Sequence, residues 1–319
     1  MRTIAVTFCA FALAAPDVAT AAEAKYPTKS IRMIVPFAPG GGTDIVARVI
    51  AQKMGESLGQ SVIVDNRPGA GGTVGVETAV RANPDGYTLI MVSGSYATNA
   101  AVYKLAYDPI SDVQPVSVIG ESAFVVVVHP SVPVKTVAEL VTLAKTKPGT
   151  LNYGSTGAGG ITHLSSELFD LLAGTRMVHV PFKGTGPSLN ALLGNQIQLM
   201  FGALPAAAPH VKENRLRGLA VTGEKPSAAL PGLPTVAETV KGYEVVLWWG
   251  VLGPKGLPRD IVAVWNRGID QIIRTKEMQD RFVNQGIDAL GGPPERFHAA
   301  IKRDVDKWKR VVAQAKIRL

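Results

Sequence analysis

Cysteine is almost missing from this chain of 319 residues: Cys9 is the only one. It sits in an apolar N-terminal run, so the rest of the chain has no disulfide, no thiol nucleophile and no thiolate metal site, and must hold its fold by packing alone. The five histidines show no H-x-x-x-H spacing, which argues against a dedicated transition-metal site. There is no G-x-S-x-G elbow, no P-loop Lys-Ser/Thr pair and no G-x-G-x-x-G, so hydrolase, nucleotide and dinucleotide signatures are lacking. Charged residues are only 18% of the chain, and the net charge of +8 is scattered without a Lys/Arg block. That pattern disfavours nucleic acid and suits a small anionic ligand. No apolar run reaches the ~20 residues of a membrane span.

What is present begins with a leader pattern. Arg2 precedes the apolar run Ile4 to Ala15, followed by the small-residue stretches Ala19-Thr-Ala21 and Ala22-Glu-Ala24. Residues 1–24 are therefore expected to be a secretory signal peptide, and Phe8 before Cys9 argues against a lipid anchor. Their removal takes away one Arg and two acids and moves the net charge from +8 to +9, so the basic balance persists. The mature protein is expected to be exported and not embedded in a membrane; a monomer is expected, though the leader itself does not fix the oligomeric state.

Short β-rich runs then alternate with amphipathic ones. Strands are expected at 31–37, 61–66 and 87–93 with helices at 43–58 and 73–82, and a second series runs from 123 to 221. Two long apolar stretches, 113–128 and 243–252, flank that series and read as strands crossing between two lobes. The helix 258–285 and a terminal helix with Phe297, Ile301, Val305, Trp308 and Val312 on one stripe return to the first lobe. The expected fold is α/β in two lobes, with a leader at 1–24, a discontinuous first lobe of residues 25–122 plus 248–319, and a second lobe of residues 123–247.

The candidate site comes from glycine loops at strand C-terminal ends. VPFAPGGGTD places Phe37, Pro39, Gly40, Gly41, Thr43 and Asp44 where a strand gives way to a helix, so free first-turn N–H groups face the space beyond the strand. GSTGAGG repeats the arrangement in the second lobe with Ser155, Thr156, Gly157 and Gly159. Ser93 and Ser95 end the third strand, and Lys183 lies in a further glycine loop. Several such loops in facing α/β halves point to one ligand in the cleft between them. Asp44 either complements the helix dipole, worth ~0.3–1 kcal/mol, or belongs to the ligand shell. Gly69 to Gly72 reads as a structural turn with Arg67 paired locally, or as cleft rim. His163 reads as a helix-surface or capping residue rather than a catalytic one. Of Trp248 and Trp249, neighbours in a strand, only one can line the cleft, and Trp248 is the candidate.

At these residues the sequence resembles a known family. The stretches YPTKSIRMIVPFAPGGGTDIVAR, VDNRPGAGGTVG, NPDGYTLIM, YDPISDVQPVS, LNYGSTGAGGITHLSSELF and VPFKGTGPSLNALLGNQIQLMF are similar to those of Bug-type, TctC-like solute-binding proteins of tripartite tricarboxylate transporters. The resemblance implies a type II periplasmic binding fold, two α/β lobes joined by two crossover strands and closing on a small carboxylate. It implies that the loops 37–44 and 155–160 grip that carboxylate and that a permease is the partner; no cofactor is expected. Where many members carry an acid after LMF, this chain has Gly202, which implies a ligand without a cationic amine: a di-, tri- or aromatic carboxylate, with Lys183 facing a second negative group. SGSYATN also departs from the histidine-containing version of that segment. A secreted enzyme, or a ligand sensor on the same cleft, is the alternative function.

Overall fold

The computed structural model describes residues 26–315, and the leader expected at 1–24 lies outside the described residues. The chain starts β1 (Ile31–Val35), α1 (Gly42–Leu58), β2 (Val62–Asn66), α2 (Thr73–Val80), β3 (Thr88–Ser93), α3 (Ser95–Val102) and β4 (Val113–Val128). It continues through α4 (Val137–Thr146), β5 (Asn152–Ser155), α5 (Ile161–Ala173), β6 (Val178–Pro181), α6 (Thr185–Leu193), β7 (Leu199–Ala203), α7 (Leu204–Lys212), β8 (Arg217–Val221) and α8 (Val236–Thr239). It closes with β9 (Val246–Pro254), α9 (Arg259–Arg274), α10 (Lys276–Gln285), β10 (Ile287–Ala289) and α11 (Pro294–Ala315).

One strand organises the whole. Val113 to Ala123 of β4 pairs with β9 in a first sheet ordered β2-β1-β3-β9-β4, with β10 also on β4. Phe124 to Val128 pairs with β7 on one edge and β8 on the other, in a second sheet that continues through β5 to β6. The run Val125-Val-Val-Val128 is wholly buried, as expected where both faces and both edges of a strand are covered. Each such side chain contributes about 1.5–3 kcal/mol by leaving water. The return crossing is made just before β9, where Val245 N–H bonds Thr222 O at 3.0 Å. The result is two α/β lobes joined by crossover strands, the fold that the alternation of short strands and helices leads one to expect.

Several boundaries differ from the sequence reading, β1 ending at Val35 and α2 at Val80 among them. The helix expected over 258–285 is broken at Thr275, whose backbone is extended and whose hydroxyl accepts Met278 N–H at 3.3 Å, ending α9 and capping α10. β3 ends at Ser93 as expected, and the segment after it turns at once into α3, a helix that the sequence reading did not name. In α11, Phe297, Ile301, Val305 and Trp308 are buried as the stripe requires, and Val312 packs half-buried beside them. Among the described residues, no helix is long and apolar enough to cross a membrane.

Candidate functional site

Four helices begin at one place. α1, α3, α5 and α6 open on the glycine caps Gly41, Gly94, Gly160 and Gly184, none with a side-chain cap, whereas α4 and α10, remote from this point, are capped by threonine hydroxyls. A glycine cap offers first-turn N–H groups no acceptor of its own, Ser95 Oγ taking only the Ile161 N–H of α5, and each helix start carries roughly half a positive charge. Their first residues surround a cavity of about 20 Å³ between the lobes, lined on the polar side by Gly41, Thr43, Ser93, Ser95, Thr156, Thr162 and Thr185. Phe37, Phe124, Ile161, Ala203 and Leu247 supply the apolar side. Among the described residues no ionised side chain lines it, so an anion there would meet helix-start N–H groups and hydroxyls rather than a charged side chain.

The lobes meet over this cavity. Ala38 N–H donates to Lys183 O at 2.8 Å, Ile161 N–H to Ser95 Oγ at 3.1 Å, and Tyr103 O–H to Ala158 O at 2.8 Å. Glycine makes the approach possible at two points. A Cβ on Gly186 would lie 2.4 Å from Pro39 O, and one on Gly71, already at φ +64°, would lie 2.5 Å from Ala158 O. A cavity of about 20 Å³ holds about one water. A larger solute therefore enters only when the lobes part.

Of the residues expected at the site, Phe37, Gly41, Thr43, Ser93, Ser95 and Thr156 lie at the cavity wall. Others stand behind it as scaffolding. Asp44, 3% exposed, accepts Gly40 N–H at 3.0 Å and Arg48 Nε–H at 2.9 Å on one oxygen and Asn66 Nδ2–H at 3.0 Å on the other. Burial raises the Asp44 pKa, but these hydrogen bonds and the Arg48 charge outweigh it and hold the carboxyl below its usual range. Asp44 thus braces the glycine loop from the first turn of α1, with donors on both of its oxygens. Gly40 serves that brace, and Pro39 packs against Gly186. Ser155, Gly157 and Gly159 shape the second loop: Ser155 Oγ accepts Gly157 N–H at 3.1 Å, and Gly159 N–H donates to His163 Nδ1 at 3.2 Å. His163 is buried, in a capping role.

Three expected site residues lie off this cavity's wall. Gly202 is off the wall by strand parity: a Cβ there would meet Ala207 Cβ at 2.9 Å on the far face, while its neighbour Ala203 faces the cavity. The inference that Gly202 replaces an amine acceptor in the cleft therefore loses its geometry. Trp248 likewise turns away, donating Nε1–H to Asp304 at 2.7 Å and packing edge-on against Phe297. Alternation puts Leu247 at the wall instead, and Trp249 supports the start of α1 with its Nε1–H 3.3 Å from Thr43 Oγ1. Lys183 is exposed in a separate rim pocket beside Gly69 to Gly71 and Gly157. Arg67 pairs locally with Asp65 as expected, and Gly71 is part of the rim where the lobes touch.

Sequence reasoning missed Gly42, Phe124, Ile161, Thr162, Thr185, Ala203 and Leu247. A signal existed for Gly42, Ile161, Thr162 and Thr185, which directly follow the glycine caps. Phe124, Ala203 and Leu247 are set by strand register, which one sequence does not disclose.

Comparison with known proteins identifies the family and the fold. The profile of the tripartite tricarboxylate transporter family receptor matches residues 46–317. Protein BugT of Bordetella pertussis is 33% identical over 300 residues, covering 92% of this chain and 91% of BugT. An R. palustris protein solved with adipate superposes with TM-score 0.89 at 35% identity, covering 92% of this chain and 99% of its own. MatC from Rhodopseudomonas palustris, solved with bound malate, superposes with TM-score 0.85 at 30% identity over 90% of this chain and 100% of its own. These likenesses show that the chain belongs to the tripartite tricarboxylate transporter receptor family.

Proposed function

We propose that this receptor binds a small carboxylate, of the di-, tri- or aromatic class, between a lobe of residues 25–122 plus 248–319 and a lobe of residues 123–247, and delivers it in the periplasm to a membrane permease. The observation that carries this reading is the convergence of α1, α3, α5 and α6 on one cavity without a charged side chain. Aligned N–H dipoles favour an anion, and the apolar wall of Phe124, Ala203 and Leu247 favours a carbon body. The adipate and malate bound by two relatives support the same class. Contacts to both lobes at once let the ligand shift the open–closed equilibrium, and the closed form is what a permease would recognise.

An enzyme reading has one observation in its favour, since Ser155 Oγ lies 2.6 Å from His179 Nε2 in nucleophile–base geometry. Ser155 is nevertheless 0% exposed and bonded into its own loop, away from the cavity wall. Calorimetry and thermal melting with adipate, malate, citrate and benzoate test the proposal, with product analysis of each mixture. Binding of at least one acid, returned unchanged, is expected, with ~2.7 kcal/mol of added stability at a hundred times its Kd. Binding of none, or turnover of one, overturns it.

A further inference from the structure

Three rings lie stacked beneath the second glycine loop. His163 of α5 and His179 of β6 are 3.9 Å apart between centroids with planes 16° apart, and Tyr153 of β5 stacks on His179 at 5.1 Å. Each imidazole ends on a loop amide, one directly and one through a hydroxyl. His163 Nδ1 accepts Gly159 N–H, while His179 Nε2 meets Ser155 Oγ, which accepts Gly157 N–H. Between these anchors the same loop carries Thr156 to the cavity wall and leads into the start of α5.

We propose that His163 and His179, as a neutral stacked pair, are positioning residues that hold the loop 155–160 in its carboxylate-receiving shape. The proposal rests on the receptor reading above. Accepting Gly159 N–H requires a bare Nδ1, so the His163 proton sits on Nε2, 3.7 Å from Glu167 Oε1. A second proton would set N–H against N–H, and a charge on either ring would face the other at stacking distance. The titratable groups facing the pair are Tyr153, which donates to Glu167 at 2.6 Å, and Glu167 itself. β7 brings no titratable side chain, and no charge from α3 or α11 shifts His163. Burial alone pushes His163 down to about 4; burial, then the neighbouring His163, pushes His179 down to about 3. The pair is thus neutral across the ordinary pH range.

The test uses the full mature chain with His163→Asn, whose Oδ1 can stand in for Nδ1, and His163→Leu, which fills the space without an acceptor. Hydrogen exchange of the 154–160 segment is read without ligand, and affinity for adipate and malate is read from pH 7.5 to 4. Removing the acceptor in His163→Leu should speed exchange and weaken binding at neutral pH by roughly fivefold or more, while His163→Asn stays near the wild type in both. As pH approaches 4 the wild type should lose affinity faster than His163→Asn; the acid's own titration is common to both and cancels in their ratio. Wild-type exchange and affinity in His163→Leu, or superimposable pH profiles for wild type and His163→Asn, overturn the proposal. If His163→Leu does not fold, the pH profiles decide. If the wild type binds neither acid, the receptor reading fails for those acids, and the exchange arm still decides the loop support.

Discussion

Asp44 shows how a charge can sit beside the proposed anion site without spoiling it. Its carboxylate lies in the first turn of α1, where the dipole favours it, and is turned inward onto Gly40, Arg48 and Asn66. Asp44→Ala leaves these donors without their acceptor, so a loss of about 1–3 kcal/mol in denaturant unfolding is expected, together with weaker ligand binding. Acid acts on two groups in the same direction. The Asp44 pKa is lowered on folding, so its stabilisation is complete above the unfolded value and is lost as pH falls through the folded one. His163 drops from 6.5 to about 4, so the unfolded chain takes up a proton first, and stability falls as pH drops through that window. That shift corresponds to about 3 kcal/mol. Melting curves should therefore show His163→Asn with a flatter decline than wild type between pH 6.5 and 4.

At the level of elements, much of the design was legible in the sequence. The strand–glycine–helix order located Gly41, Thr43 and Thr156 at the cavity because a turn without Cβ atoms and a following amphipathic run have only a few geometries. Side-chain direction within strands was not legible. Gly202 and Ala203, or Trp248 and Leu247, exchange faces with a shift of one residue, and register comes from pairing with β4, far away in sequence. That parity yields a contrast. Ala203→Asp puts a carboxylate at the cavity wall and should abolish binding of an anionic ligand while the fold survives. Gly202→Asp instead drives a Cβ to 2.9 Å from Ala207 Cβ and places a charge on an apolar face, so it should lower the melting temperature sharply. Thermal melting and calorimetry on the two variants separate these outcomes. The roles of Asp44 and Lys183 were not legible for a different reason: loop side chains near a cleft can face it, brace it or leave it, and only the three-dimensional partners decide.

For the whole molecule, closure depends on surfaces bare enough to touch. Gly186 lies in the first turn of α6, where alanine is the better helix former by ~1 kcal/mol, yet its Cβ would press on Pro39 O across the cleft. Gly186→Ala should therefore keep or raise the stability of its lobe while wedging the lobes apart. Small-angle scattering would register a larger radius of gyration, and affinity would fall tenfold or more if closure is worth at least ~1.4 kcal/mol. An unchanged radius with unchanged affinity would show that the lobes have slack the contact distances do not reveal.

The sharing of β4 also sets a timetable for synthesis. All strands of the second sheet have been made once Val221 emerges, whereas β3 and β4 in the first sheet lack the strand between them until β9 arrives at Val246 to Pro254. Until then the inner edge of β3, with Ile90, Met91 and Val92, is an open template for pairing with other chains. The late C-terminal quarter thus acts as the chain's own safeguard against aggregation. Truncation before residue 246 should leave an insoluble product even though most of the cavity-lining loops are already encoded.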